Sequence, residues 1–416
     1  MHPLISRKII DLRYKPFFKH AYYLLKLFEY ALHRCLNVKS IERNVVRYLK
    51  LCKIGNKLPK DITKCASLLI NLKGYGNYTK NDCAKRSIVL KNPIMKNNLV
   101  VEKGVLLLTF THCFEYFLKD IDTNKLLRDF RIVLEPSWSG YCVPSIIEWI
   151  NYPQHKIVVQ ATEVEDFDFL INLNRNLIPV NFGASDWVDD RLFYPLHDVE
   201  KVYDAIYVAV YGAYKRHHVL FRSVKKIKEM NPRIAIVGVP WMGTKEEILW
   251  LIEHYDIKAH VDIFESLSPD ELNIVLNKSK LNLLLSLQEG SNRSIFEGLF
   301  SNVPGVVLKN NKGMQKSYIN SSTGLLIDES ELSNVLLHFR ESWRDYNPRD
   351  WALRNISPLI TTEKLNDVIK KIAINDNEPW TCDIVPKVNA PEVKYYFDEH
   401  NNKFTKTIDL FDRYAK

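Results

Sequence analysis

Two glutamates with seven residues between them, Glu289 and Glu297, lie in the segment LLLSLQEGSNRSIFEGLFSNVPGVV, residues 283–307. Carboxylates repel phosphate but accept hydrogen bonds from sugar hydroxyls. The backbone amides at a helix start do the opposite and favour an anion. Here an apolar, strand-like run ends near Leu287, and a helix should open near Ser291 or Asn292. The amides of Ser291, Asn292, Arg293 and Ser294 would then face an anion such as a diphosphate, and Arg293 could add a bidentate charge. Acids flanking such a cradle suit a nucleotide sugar, with a hydroxylated ring on each side of the diphosphate. The same spacing is also compatible with a capped helix whose acids face solvent.

The surrounding pattern supplies elements to position this loop. From about residue 99, short β-branched runs (NLVVEKGVLLLTF, RIVLEP, KIVVQAT, LIPVNFG) alternate with helical patterns (HCFEYFLKDIDTNKLLRDF, VPSIIEWIN, EDFDFLINLNRN). Periodicity lapses over 184–201. It then restarts with YDAIYVAVY, RIAIVGV, HVDIFE and LNLLLSL as strands, separated by HHVLFRSVKKIKEM, KEEILWLIEHY and SPDELNIVLNKS. Alternation of this kind predicts parallel sheets with covering helices, and its repetition predicts two doubly wound α/β domains facing a cleft. The expected limits are a basic helical extension (1–65), a first Rossmann-like domain (66–198), a second (199–375) and a tail (376–416) that folds back on the first domain.

Composition bounds the partners. The 416 residues, 46% hydrophobic, suffice for two domains. Residues 1–60 hold 14 Lys/Arg against 3 Asp/Glu, a net +11, which leaves −2 for the rest of a chain of net +9. In KPFFKHAYYLLKLFEYALHRCL the cations interleave with aromatics, and Lys19, Lys26 and Glu29 rule out a bilayer span. Two readings stand: an interfacial helix on an anionic membrane, or a helical extension docked on the body with a solvated basic face. Nucleic acid is not expected, because no reader motif accompanies the charge. Seven dispersed cysteines without a paired motif suggest reduced thiols and a cytoplasmic chain, peripheral on the inner membrane face at most. No cleavable signal peptide is visible. Asp166-Phe167-Asp168 opens an amphipathic helix, where acids suit the dipole, so no metal is expected there. GYGNYT (74–79) has too few glycines and no preceding strand for a dinucleotide loop.

Ser286, Glu289, Gly290, Glu297, Pro304, Val306-Val307 and Gly324-Leu325-Leu326 together resemble the nucleotide-sugar motif of glycosyltransferase family 4, a retaining group with the GT-B fold. GASDWVDDRLFYP, with Asp189, Phe193 and Pro195, resembles that family's interdomain segment. AIYVAVYGAYKRHHVLFRSVKKI resembles the strand, loop and helix that open its nucleotide domain, and IAIVGV resembles the next strand with its glycine, Gly238. The resemblance covers roughly residues 100–370. It implies that Lys215 binds the donor diphosphate, Glu289 contacts the transferred sugar and Glu297 holds the ribose hydroxyls. Backbone amides of Gly290, Ser291 and Asn292 would reach phosphate and sugar, and the strand end Ile263-Phe264-Glu265 is expected to take part in base selection. The chain departs from the family twice. The usual G-F-G after the first Glu reads Gly290-Ser291-Asn292-Arg293 here, which makes the sugar pocket more polar and bulkier, and Val210 stands where an arginine is usual, with Arg216 or Arg293 the candidate substitute. Independently of the family, Lys215-Arg216-His217-His218 is either a cationic diphosphate loop or a basic cap at a helix start.

The first domain is expected to bind the acceptor through its strand ends: Thr111, the EPSWSGY loop with Glu135, Trp138, Ser139 and Gly140, and Glu163. Carboxylate, hydroxyls and tryptophan after a strand suit a carbohydrate, although a capped turn with a half-buried Trp138 reads equally well. The expected activity is metal-independent, cofactor-free transfer of a sugar from a nucleotide donor to a glycan or lipid-linked glycan, in surface polysaccharide or glycoconjugate synthesis. An anionic leaving group needs chiefly charge stabilisation and positioning, and its phosphate can take the acceptor proton. The rival readings are a sugar-nucleotide epimerase on the same scaffold and a non-catalytic binding protein at the membrane.

Overall fold

Buried β-branched runs build two parallel-stranded sheets, each covered on both faces by helices. The computed structural model describes residues 3–36, 41–72, 78–389 and 392–416; most of the 74–79 segment lies outside them. In the first sheet, β1 (Ser87–Lys91) is followed by a hairpin of β2 (Ile94–Lys96) and β3 (Leu99–Glu102). Then come β4 (Gly104–Thr109), β5 (Phe130–Glu135), β6 (Ile157–Gln160) and β7 (Leu177–Val180), in the order β1-β4-β5-β6-β7 with only β1 antiparallel. Four parallel strands laid down consecutively put every right-handed crossover on one face. That face buries Phe114, Phe117, Leu126, Ile147 and Leu170 with Trp149. The other face, with Val105, Leu107, Val133 and Val158, is closed by Leu365, Ile369 and Ile372 of the helix Pro358–Asn375.

The second sheet holds β8 (Ala205–Val208), β9 (Ile234–Gly238), β10 (Val261–Glu265), β11 (Asn282–Leu284), β12 (Gly305–Leu308) and β13 (Gly324–Ile327). All are parallel, in the order β10-β9-β8-β11-β12-β13. Helices His217–Lys226 and Lys245–His254 cover one face through Val219, Leu220, Ile248 and Leu251. Helices Pro269–Asn277 and Arg293–Phe300 cover the other through Val275, Leu276, Ile295 and Leu299. The winding therefore reverses between β8 and β11. In a doubly wound sheet, that reversal is where the loops beyond the strand ends part and leave room for a ligand.

The chain forms two compact units, Met1–Phe18 with Val188–Ser357 and Lys19–Trp187 with Pro358–Lys416. These crossings differ from the limits expected at 65/66, 198/199 and 375/376, for two reasons. The apolar face of Pro358–Asn375 seals the first sheet, and the first helix, α1 (Pro3–Arg13), pairs its charges with the second sheet's helices. Next come α2 (Pro16–Leu36) and α3 (Ile41–Gly55). α3 docks on the body through Val45 and Leu49, which join Ala66 and Leu69 in the first core. α2 leans on α3 through Tyr30, whose ring lies 5.9 Å from Tyr48, and through Tyr23, which covers Gly55 so closely that a Cβ there would come within 2.7 Å of the ring. Its opposite arc stays in solvent, with Phe17 77%, Phe28 67% and Leu36 74% exposed. No described helix is long and apolar enough to cross a membrane.

The expected helix over 112–130 is broken into Phe114–Lys119 and Thr123–Asp129, because Asp122 caps the second piece by accepting from Lys125 N at 3.1 Å. All seven cysteines are unpaired.

Candidate active site

The loops after β8 and β11 meet through side chains. After β8 the chain reaches a single turn, Ala213–Lys215, whose last carbonyl accepts from the buried hydroxyl of Tyr207. Lys215 Nζ lies 2.6 Å from Glu289 Oε1, and the Ser286 hydroxyl donates to the same oxygen. All three side chains are buried. The loop bearing Glu289 is pinned by the segment after β12. Glu289 N donates to Lys312 O at 2.7 Å, Lys312 N donates to Leu287 O at 3.0 Å, and Asn311 Nδ2 donates to Ser286 O at 2.8 Å. Gly313 permits this approach: its φ is +99°, and a Cβ would stand 1.9 Å from Glu289 O.

The helix Arg293–Phe300 starts where the sequence places it. Asn292 is its N-cap, accepting from Ile295 N at 3.1 Å and from Ser294 Oγ at 2.8 Å. The amides of Arg293 and Ser294 precede the point where intrahelical bonding begins. Gly290 is buried, Ser291 half-buried and Arg293 exposed. Glu297, one turn inside, is buried, and among the described residues its carboxylate meets no hydrogen-bond donor. Burial pushes its carboxyl above the usual 4.5, while the nearby Arg293 guanidinium opposes the shift.

The remaining residues of the expected donor set lie in other settings. Arg216 follows Lys215 directly, but its guanidinium is held by Asp11 (Nε–Oδ1 2.7 Å), Glu329 (Nη2–Oε2 2.5 Å) and the carbonyl of Leu285 (3.2 Å). Gly238 ends β9 with no room for a Cβ, which would come 2.6 Å from Ala209 O. Phe264 packs edge-on to Tyr203 in the core of the sheet's second face, and Glu265 pairs with Lys245. Both end β10, an edge strand two places from β8. Of the basic run 215–218, His217 is a core residue, wholly buried against Tyr207, Tyr211 and Phe221. That burial, with the charge of Arg7, takes its imidazole down to about 3.

The expected acceptor residues gather at the strand ends of the first unit. Thr111 Oγ1 accepts from Ser137 N at 3.0 Å. Glu135 is buried and held by Lys387 Nζ (2.9 Å) and Asn389 Nδ2 (2.7 Å). Trp138 is exposed and Ser139 buried. Gly140, at φ +107°, donates its amide to Asp166 Oδ2 at 2.6 Å, and Lys53 of α3 fills the space over its Cα. Glu163 is buried at the start of the helix Val164–Leu173. Asp166, the first acid of the Asp-x-Asp, is thus engaged by a backbone amide, and burial pushes its carboxyl up to about 7.

Sequence reasoning overlooked the roles of Asn311, Gly313 and Asp11. For Gly313 a signal existed, since a glycine in a polar break after the Val306-Val307 strand is a common mark of close backbone approach. For Asp11 there was none, because its partners lie more than two hundred residues away.

Residues 192–347 match the family model described as glycosyl transferases group 1. No curated protein sequence matches the chain. Among solved structures, sucrose-phosphate synthase from Thermosynechococcus elongatus is similar at a TM-score of 0.51 and 14% identity, over 65% of this chain and 74% of that one. The HepE protein of Anabaena is similar at 0.50 and 13% in complex with UDP and glucose, over 64% of this chain and 78% of that one. In complex with UDP it is similar at 0.51 and 12% over the same shares. The fold shared with these proteins is GT-B, with two Rossmann-like units and, here, an added N-terminal helical segment.

Proposed function

We propose that the chain is a retaining, metal-independent glycosyltransferase that moves a sugar from a nucleotide donor to a glycan or lipid-linked glycan. The observation that carries this reading is the meeting of Lys215 and Glu289 at the switch point of the second sheet, beside the helix start at Arg293. The group 1 match over the same residues supports it. In the proposed complex the donor diphosphate takes Lys215 Nζ away from Glu289 and lies against the amides of Arg293 and Ser294. Glu289, still held by Ser286, then accepts from hydroxyls of the transferred sugar, and Glu297 accepts from the ribose. Lys215 and the helix amides stabilise the charge that grows on the departing diphosphate. The acceptor hydroxyl attacks from the leaving-group face and passes its proton to the leaving phosphate. A uracil nucleotide is the first donor to test, since HepE was solved with UDP. We place the acceptor at Trp138, Ser139 and Gly140, and the work of the enzyme at the inner membrane face, in surface polysaccharide or glycoconjugate synthesis.

The test is a thermal-shift screen of the full chain with UDP-, GDP-, dTDP- and CMP-sugars. One nucleotide series should raise the melting temperature. Lys215→Ala and Glu297→Ala should each weaken that nucleotide by about 10–100-fold, the worth of one charged hydrogen bond. No response to any nucleotide would favour the binding-protein reading.

A further inference from the structure

α1 lies outside the group 1 match and before the first sheet, yet it belongs to the unit that carries Lys215. Its Leu4 packs on the apolar cluster beneath helices His217–Lys226 and Lys245–His254. Its Arg7 is fully buried, with Nη2 3.5 Å from Glu247 Oε2. One turn on, Asp11 divides its carboxylate between Arg216, which caps the helix His217–Lys226, and His218, the second residue of that helix. Oδ1 accepts from Arg216 Nε at 2.7 Å, and Oδ2 lies 2.8 Å from His218 Nε2. Burial disfavours the charged acid, but the bonds from His218 and Arg216 outweigh it and hold Asp11 below the usual carboxylate range.

The bond matters because of the backbone it holds. Arg216 adopts φ +63°, a left-handed conformation unfavourable for a residue with a long side chain. Such a conformation persists where its surroundings over-determine it. Arg216 has three anchors: the carbonyl of Leu285 just before Ser286, Glu329 beyond β13, and Asp11. Only the last comes from outside the family-matched segment. The reversal at Arg216 also decides where the preceding residue points, and that residue is Lys215.

We infer that Asp11 is a positioning residue for the donor site, and that α1 is the part of this chain that sets Lys215 for a nucleoside diphosphate. The inference rests on the reading of Lys215 as a diphosphate ligand. Asp11 itself touches no substrate. It acts through Arg216, so its loss should weaken the nucleotide and leave acceptor binding and the fold in place.

The experiment uses the full chain and takes as probe UDP or GDP, whichever stabilises the wild type more. Asp11→Ala should raise the Kd of that nucleotide by about 5–20-fold, within the usual range of coupling between sites. Asp11→Glu should restore it to within about 3-fold, and the unliganded melting transition should stay cooperative. Where Asp11→Ala fails to fold, Asp11→Asn, which keeps a neutral acceptor for Arg216, takes its place with the same expected direction. A Kd within twofold of wild type for the Asp11 variant, while Lys215→Ala weakens it strongly, overturns the inference alone. A Kd unchanged by Lys215→Ala overturns the donor-site reading, and the inference falls with it.

Discussion

His217 places a titratable ring where nothing can solvate its charge. Its two ring nitrogens are buried without hydrogen-bond partners among the described residues, and burial lowers its imidazole to about 3. The unfolded chain, with an imidazole near 6.5, binds the proton first. The native state is therefore fully favoured above about 6.5 and loses stability as pH falls toward 3, by at most about 1.4 kcal/mol per pH unit. A His217→Phe variant should lose less stability than wild type between pH 7 and pH 4, as read from urea unfolding midpoints; parallel losses would show that the ring is solvated. Lys215, Arg216, His217 and His218 look alike in sequence, as one basic cluster. They part company because the left-handed Arg216 turns the chain between them. One faces Glu289, one clamps three elements, one enters the core and one meets Asp11. The helix start near Asn292 was legible because a polar break before an apolar run is a local event. The ion clamp was not, because its members are joined only by the tertiary fold.

α2 is the element whose surroundings do not explain its composition. Tyr23 and Tyr30 turn toward α3, while Phe17, Leu24, Leu25, Phe28, Leu32 and Leu36 recur at spacings of three, four and seven and stay exposed. An uninterrupted apolar arc on a helix from the +11 segment suits insertion at the boundary of an anionic bilayer. The full chain should bind vesicles containing phosphatidylserine or phosphatidylglycerol. Replacing Phe28 by Asp should cut partitioning by about tenfold or more, since burying one such ring is worth about 1.5–3 kcal/mol. Equal sedimentation of wild type and Phe28→Asp with those vesicles would dismiss the membrane role. The mix of cations and aromatics in the sequence pointed to a helix here. α3 docks on the body, and α2 presents its apolar arc to solvent.

At the scale of the molecule, the strand–helix alternation was readable from about residue 99 because each buried parallel strand is a short apolar run, whereas β1 before it was not read. The unit limits were not, since a helix's partner sheet leaves no mark on its own sequence. Leu365, Ile369 and Ile372 show this. They follow the second sheet in the chain but seal the first. Ending the chain after Ser357 should therefore uncover that apolar face and send the protein into aggregates, detected by light scattering, rather than yield a soluble shortened enzyme. A monodisperse truncated chain would disprove the assignment of this helix to the first unit. The clamp between α1 and Arg216 spans 205 residues. At about 5–20 residues per second, α1 leaves the ribosome roughly 10–40 s ahead of the side chains that neutralise Asp11. Through that interval a growing polypeptide carries an amphipathic helix with no docking place of its own, so nascent-chain chaperones or a nearby bilayer have a natural first handhold there.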